Sequence, residues 1–447
     1  MSVPQYKDYK DSGVKWLGKI PSGWGVRRIR HLFEIRKRIS GAEGHEVLSI
    51  TQQGIKPKDI ESGDGQLSAD YSKYQFVEVG DFAMNHMDLL TGYVDISPMF
   101  GVTSPDYRVF AVRDKEVCFD KYYLYLFQAG YRNKVFYAFG QGSSQFGRWR
   151  FPTDEFNSFE FPFPPMEEQK RIATFLDHET AKIDELVAEQ ERLIGLLKEK
   201  RQAVVSLAVT KGLNPDVSMR DSGFEWLGAV PRNWEVAPLK RRCSLLKDGT
   251  HLPPSRVDEG IPLLSVRNIE NGKFSLRSDD SLISVESYQE LCKSFVPLAG
   301  DVVLAIVGAT LGKTAIIPSG LGNFFIQRSV AIFRPSDGLQ ARWLHFVFQS
   351  QGFQRLLWQY VGYSAQPGIY LGTLGEFRVP VPSLSEQSAI VAFLDQQTTK
   401  LDTLVAEAQT AISLLDERRM ALISAAVTGK IDVRGFVGVQ PEEVAAE

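Results

Sequence analysis

At 447 residues the chain exceeds what one ordinary hydrophobic core encloses, so two or more domains are expected. Its 43% hydrophobic and 23% charged side chains give the balance of a globular protein and exclude collagen-like or wholly disordered classes. The formal net charge of −3 lacks the basic excess of a stand-alone nucleic-acid binder, so any grip on phosphates has to come from local clusters or from partner chains.

Residues 1–13 (MSVPQYKDYKDSG) are polar and carry no apolar core of a secretion signal. No later run approaches the roughly 18 apolar residues of a membrane span, and a cytoplasmic location is the expectation. Cys118, Cys243 and Cys292 stand far apart with no CxxC pair. They read as reduced thiols, not as a disulfide framework or a zinc site.

Residues 1–160 form a first segment, whose short apolar runs broken by Gly, Pro and Asp predict mixed α/β structure, with helical spacing over 122–127. Residues 161–213 predict one long helix. Pro164 and Pro165 precede it, Gly212 lies near its end, and a span from Glu168 to Thr210 would be about 65 Å long at ~1.5 Å per residue. Ile183, Leu186, Gln190, Leu193, Leu197, Val204 and Leu207 give it a heptad stripe flanked by Glu, Lys and Arg. Residues 214–378 are again mixed α/β, with strands expected over 302–307, 315–317 and 329–333 and a helix near 343–348. Residues 379–447 hold a second long helix, preceded by Pro382 and ending near Gly429. Its stripe is Leu401, Leu404, Ala408, Ala411, Leu415, Leu422 and Ala425. Neither stripe can be buried by its own helix, so the two helices are expected to pack on each other.

The chain is in effect written twice. DSGVKWLGKIPSGW at 11–24 recurs as DSGFEWLGAVPRNW at 221–234, and FPFPPMEEQKRIATFLD at 161–177 recurs as VPVPSLSEQSAIVAFLD at 379–395. The second offset, 218, holds without a gap from Phe161 to Thr210, and half of the aligned positions are identical, including Glu168/Glu386, Gln169/Gln387, Asp177/Asp395, Lys182/Lys400 and Asp184/Asp402. The segments between, 25–160 and 235–378, share only echoes such as Gly80-Asp81 against Gly300-Asp301. Similar ends around divergent middles suggest one scaffold carrying two different readers, against the plainer alternative of duplication followed by drift, which would also spare the helices.

Several fragments imitate catalytic motifs. GATLGKT at 308–314 resembles a phosphate-binding loop, but it has three residues before Gly-Lys where four are needed, so a glycine turn between two strands is the better reading. Asp154 with Glu168, Gln169 and Lys170 has a nuclease-like spacing, but the second copy reads Glu386-Gln387-Ser388 and loses the lysine; acidic residues in a first helical turn complement the helix dipole. The six histidines show no ligand spacing, and neither a metal site nor a catalytic residue is expected.

Tandem W-L-G-x-[I/V]-P-x-x-W motifs, each followed by a variable segment, then P-x-P-x-x-x-E-Q-x-x-I-x-x-F-L-D and a long helix, resemble the specificity subunits of type I restriction-modification systems over residues 9–431. The resemblance implies two α/β (α+β) target recognition domains separated by long helices that form an antiparallel coiled coil. It further implies a non-catalytic subunit whose partners are double-stranded DNA, two modification (methyltransferase) subunits and two restriction subunits. S-adenosylmethionine, ATP and Mg would then be held by the partners, with no cofactor in this chain. Because the two variable segments differ, the DNA target would be asymmetric and bipartite. Two other classes remain open at this point: a non-DNA tandem coiled-coil scaffold, favoured by the acidic balance, and a self-contained modifying enzyme, disfavoured by the missing motifs.

Under the DNA-reading alternative, Arg and Gln suit bidentate base contacts and Lys suits phosphates. The candidates in the first segment are Arg36, Lys37 and Arg38, Lys56 and Lys58, and the Gly-Ser-rich stretch with Ser143, Ser144, Gln145, Arg148 and Arg150. Those in the second are Lys247, His251, Arg256, Arg267, Asn268, Arg328, Tyr363, Ser364 and Gln366. Ile183, Leu186, Leu193, Leu197, Leu401, Leu404, Leu415 and Leu422 are the candidates for helix pairing and partner docking.

Overall fold

A computed structural model describes residues 4–60, 68–143, 148–252, 254–361 and 367–436. The chain divides into two compact units, Met1–Gln190 with Thr410–Glu447, and Glu191–Gln409.

In the first unit a four-stranded antiparallel sheet has the order Phe33–Ile35, Arg108–Val112, Phe82–Met84, Val94–Ile96. The helix Asp120–Arg132 contributes Tyr122, Tyr123, Leu126 and Phe127 to the same core. Phe33, Phe82, Phe110 and Phe127 meet there with ring centroids 5.2–6.0 Å apart, mostly edge to face or tilted, as the ring quadrupoles favour. Gly25–Arg28 pairs antiparallel with Glu160–Phe163, so the strand that opens the variable segment is bonded to the one that closes it.

The second unit repeats this plan with additions. Cys243–Asp248, Val330–Pro335, Val302–Ala305 and Thr314–Ile316 lie in the same order, and Lys273–Phe274 and Ile269–Glu270 extend the sheet to six strands. Glu235–Pro238 pairs with Arg378–Val381, the counterpart of the closing pair in the first unit. Two segments of faint sequence similarity therefore build sheets of the same strand order. The Gly80-Asp81 and Gly300-Asp301 echo marks the point just before equivalent strands. In each, the buried carboxylate accepts the backbone N–H three residues earlier, from Glu78 and Leu298. As the sequence suggested, residues 308–313 form a turn between the paired strands Val302–Ala305 and Thr314–Ile316.

The long helices run Met166–Lys211 and Leu384–Val427. Gly212 and Gly429 end them in left-handed backbone at φ +73° each, where glycine avoids a Cβ penalty. In the first unit the early part of the first helix lies against the late part of the second: Ile172, Phe175 and Leu176 share a core with Ile423, Ala426 and Val427. In the second unit Val205, Ala208 and Val209 share a core with Ile390 and Leu394.

The covered face departs from the expected stripe. Leu176, Thr180, Ile183, Val187, Gln190, Ile194, Leu197, Arg201, Val204 and Ala208 are buried or half-buried at alternating four- and three-residue spacing. Their repeats Leu394, Thr398, Leu401, Val405, Ala408, Ile412, Leu415, Arg419, Leu422 and Ala426 follow the same pattern. Ile183, Leu197, Leu401, Leu415 and Leu422 lie on it as expected. Leu186, Leu193, Leu207 and Leu404 do not; they are 47%, 42%, 61% and 38% exposed, and the inward positions are their neighbours Val187, Ile194, Ala208 and Val405. After Ile183, Gln190, Val204 and Leu401 the chain has apolar residues at both i+3 and i+4, and the leucine at i+3 drew the choice.

Candidate nucleic-acid interface

In the first unit Arg36 and Arg38 are not free. Arg36 Nη1 donates to Asp81 Oδ1 at 2.9 Å, and Arg38 pairs with both Asp81 and Glu78. Asp81 is buried, so its charge needs these partners, and the two arginines act in the fold as its clamp. Lys37, between them, is exposed. Lys56 and Lys58 belong to a hairpin in which Leu48–Thr51 pairs with Gly54–Pro57; Lys56 is exposed and Lys58 half-buried.

Around the Gly-Ser-rich stretch the described residues form a pair of antiparallel strands, Gln141–Ser143 and Arg148–Arg150. Gln141 pairs with Arg150, Gly142 with Trp149 and Ser143 with Arg148. Trp149 anchors it, stacked on Tyr137 at 5.4 Å with its Nε1–H donating to Tyr137 O at 2.8 Å. A Cβ on Gly140 would lie 2.1 Å from Trp149 Nε1, so only glycine allows this approach. Arg150 is exposed on the second of these strands, whereas Ser144 and Gln145 lie outside the described residues.

In the second unit Asn268 is corrected to a structural role. It is buried; its Oδ1 accepts from Ser265 N–H at 2.8 Å, and its amide donates to Ser275 O and to Asp280. A side chain so engaged cannot reach a base. Arg267 is exposed but pairs with Asp279 at 2.9 Å. Lys247 is exposed on Cys243–Asp248. Tyr363, Ser364 and Gln366 lie outside the described residues.

Three of the candidates do converge. His251, Arg256 and Arg328 line one cleft of about 300 Å³ with Thr250, Leu263 and Gln327. Nothing in the sequence marked Thr250 or Gln327, which stand next to His251 and Arg328 along the chain and are paired by an isolated parallel β-bridge between segments distant in sequence. Among the described residues no group of three His, Cys, Asp or Glu could hold a metal ion, and no helix is long and apolar enough to cross a membrane.

A family model for the type I restriction modification DNA specificity domain matches residues 21–193 and 231–412, one match per sequence repeat. The chain belongs to this family. It is similar to the type I restriction enzyme MjaVIII specificity subunit of Methanocaldococcus jannaschii, at 25% identity over 63% of this chain and 64% of that protein. The EcoBI specificity subunit of Escherichia coli is 27% identical over 60% of this chain and 58% of its own length. The matches thus span less than two thirds of either relative. A putative MjaX specificity subunit of M. jannaschii is 21% identical over 95% of this chain and 98% of its own. The fold is that of two solved chains. One comes from work on complex assembly and conformational transition of the type I R-M system, with TM-score 0.68, 17% identity and coverage of 91% of this chain and 98% of that one. The other is the HsdS subunit from Thermoanaerobacter tengcongensis, with TM-score 0.50, 18% identity and coverage of 92% and 98%.

Proposed function

We propose that this chain is the DNA-specificity subunit of a type I restriction-modification complex, each lobe reading one half of an asymmetric bipartite target. The observation that carries the reading is one repeated frame with two unlike surfaces. The four core strands and the long helix recur, while the first lobe presents a Trp149-anchored strand pair with Arg150 and the second a cleft with His251, Arg256 and Arg328. Phosphate contacts would fix register and base-edge contacts would supply sequence.

The two helices act as an antiparallel coiled coil that sets the length of the unread gap. Support comes from the alternating four- and three-residue burial in both copies. Leu186, Leu193 and Leu404, left exposed on those helices, provide apolar surface for two modification subunits. Methylation and ATP-dependent cleavage belong to the modification and restriction partners, which hold S-adenosylmethionine, ATP and Mg, and the complex works in the cytoplasm. Adenine methylation requires a flipped base in a partner's pocket.

The test is to express the chain with its modification partner and map methylated adenines by sequencing. One split, asymmetric motif is the expected result. Methylation with no dependence on this chain would overturn the reading.

A further inference from the structure

The cleft of the second lobe has a floor fixed by main-chain packing. Phe325–Ile326 runs parallel to Ile261–Leu264, and the chain then turns sharply: Gln327 N–H donates to Leu264 O at 2.8 Å and Val330 N–H to Gln327 O at 3.0 Å. From the other side Cys243–Asp248 ends at Gly249, whose N–H donates to Val330 O at 3.2 Å, while Thr250 N–H donates to Ile326 O at 3.1 Å. A Cβ on Gly249 would lie 2.1 Å from Ile326 O and 2.5 Å from the carbonyl carbon of Gln327. Only a glycine lets the strand end press against the turn at that distance, so the spacing between turn and loop is set by backbone atoms.

The loop is pinned in its own right. Thr250 Oγ1–H donates to Leu252 O at 2.6 Å, and the His251 ring meets Asp248 Oδ2 at 2.8 Å. Its far side is open: Arg256 makes one long hydrogen bond, to Pro254 O at 3.5 Å, and Arg328 makes no hydrogen bond or ion pair among the described residues. Of the other arginines in this unit, Arg334 is engaged on Asp301, Arg267 on Asp279 and Arg242 on Glu235, while Arg232, Arg241 and Arg355 are exposed; Arg256 and Arg328 are set apart by lining one cleft together. Two guanidiniums without carboxylates, next to a carboxamide on a rigid turn, leave donor forks for an external acceptor.

Resting on the DNA-reading function above, we propose that Gln327 and Arg328 are the base-reading pair of the second lobe, with Arg256 gripping the adjacent phosphate. Arg328 takes the O6/N7 edge of a guanine in the major groove, the bidentate match for a free guanidinium. Gln327, whose Nε2 makes one long bond, to Leu263 O at 3.5 Å, takes the neighbouring base by giving up that contact, its amide able to donate and accept at once. Gly249 is a positioning residue: it holds the turn that carries both.

The experiment uses the complex of this chain with its modification partner, carrying Arg328→Ala, Arg328→Lys, Gln327→Ala or Arg256→Ala. It reads the methylated motif and the affinity for duplexes that bear the wild-type motif or single-base changes, over a range of salt. Arg328→Ala is expected to cost roughly ten- to a hundredfold in affinity and to relax one base position in one half of the motif, leaving the other half intact. Arg328→Lys, which lacks the fork, should relax the same position. Gln327→Ala should relax the position next to it. Arg256→Ala should weaken all sequences alike and lower the salt slope by about one. The assignment is overturned if Arg328→Ala leaves motif and affinity unchanged, or weakens binding uniformly with a reduced salt slope. A wild-type complex that methylates no bipartite motif would refute the function on which the assignment rests, a result distinct from either of these. Thermal melting of Arg328→Ala should match wild type, because the side chain has no partner to lose among the described residues.

Discussion

Arg419 donates to both oxygens of Asp184, at 2.6 Å and 3.3 Å, and the same pair recurs one repeat away, where Arg201 Nε donates to Asp402 at 2.9 Å. Each bond joins the two long helices within one unit. Both arginines occupy inward positions of the heptad pattern, and both aspartates directly follow a buried apolar residue, Ile183 or Leu401.

These pairs orient more than they stabilise. With Asp184 and Asp402 about half exposed, a double-mutant cycle on Arg419→Ala and Asp184→Ala should give a coupling of about 0.5 kcal/mol, shrinking as salt is added. The check is denaturant unfolding of the wild type, both single variants and the double variant. A coupling above about 2 kcal/mol, insensitive to salt, would contradict the exposed-pair assignment.

Gln169 and Gln387 should matter far more. Gln169 accepts from Phe119 N–H at 2.8 Å and donates to Val117 O and Pro164 O, each at 2.9 Å. Gln387 does the same with Gln340 N–H, Gly338 O and Pro382 O. Both are fully buried. Replacing either by Leu strands several buried backbone groups, and a loss on the order of 3 kcal/mol is expected in the unit that carries it. Calorimetry resolving the two units would show it; an unshifted transition for Gln169→Leu would contradict the joint.

The sequence already contained the helices, the repeat and the identity of these pairs. Periodicity and caps are local properties, and an ungapped offset survives without knowledge of contacts. It did not show which face of the helix turns inward, because Leu186 and Val187 satisfy the same spacing rule and only the opposing helix decides between them. Nor did it separate Arg36, clamped on Asp81, from Arg328, which is unclamped; the two look alike until strands distant in sequence are paired. Asn268 was misassigned for the same reason, since its partners Ser275 and Asp280 lie across a turn that the sequence alone does not close.

Acid should destabilise the second unit through His345. Burial, reinforced by the nearby Arg342 and Arg201 charges, pushes its imidazole down to about 3, so it is neutral in the fold. In the unfolded chain it titrates near ~6.5. Between these values the unfolded state binds the extra proton, so stability is full above about 6.5 and falls as pH drops toward 3, by up to ~1.4 kcal/mol per pH unit. His345→Gln should flatten the dependence of unfolding free energy on pH between 6 and 4 by about one proton. An unchanged slope would assign the acid sensitivity to other groups.

If the helix pair is a ruler, adding one heptad to each helix, after Gln190 and after Ala408, should lengthen the unread gap of the methylated motif. The heptad pattern is preserved, so the seam should survive. Adding four residues to one helix alone breaks the pattern and should abolish binding. Motif mapping reads both, and an unaltered gap in the first variant would dismiss the ruler.

The partners of Gln169 and Gln387 are all main-chain atoms. This part of the attachment asks nothing of the lobe's side chains, only that Phe119 and Gln340 not be proline, although Lys121 with Asp177 and Arg342 with Asp395 add side-chain ties beside it. Wholesale exchange of lobes between related genes would keep the main-chain share of the joint, so recombination would have less of the attachment to rebuild.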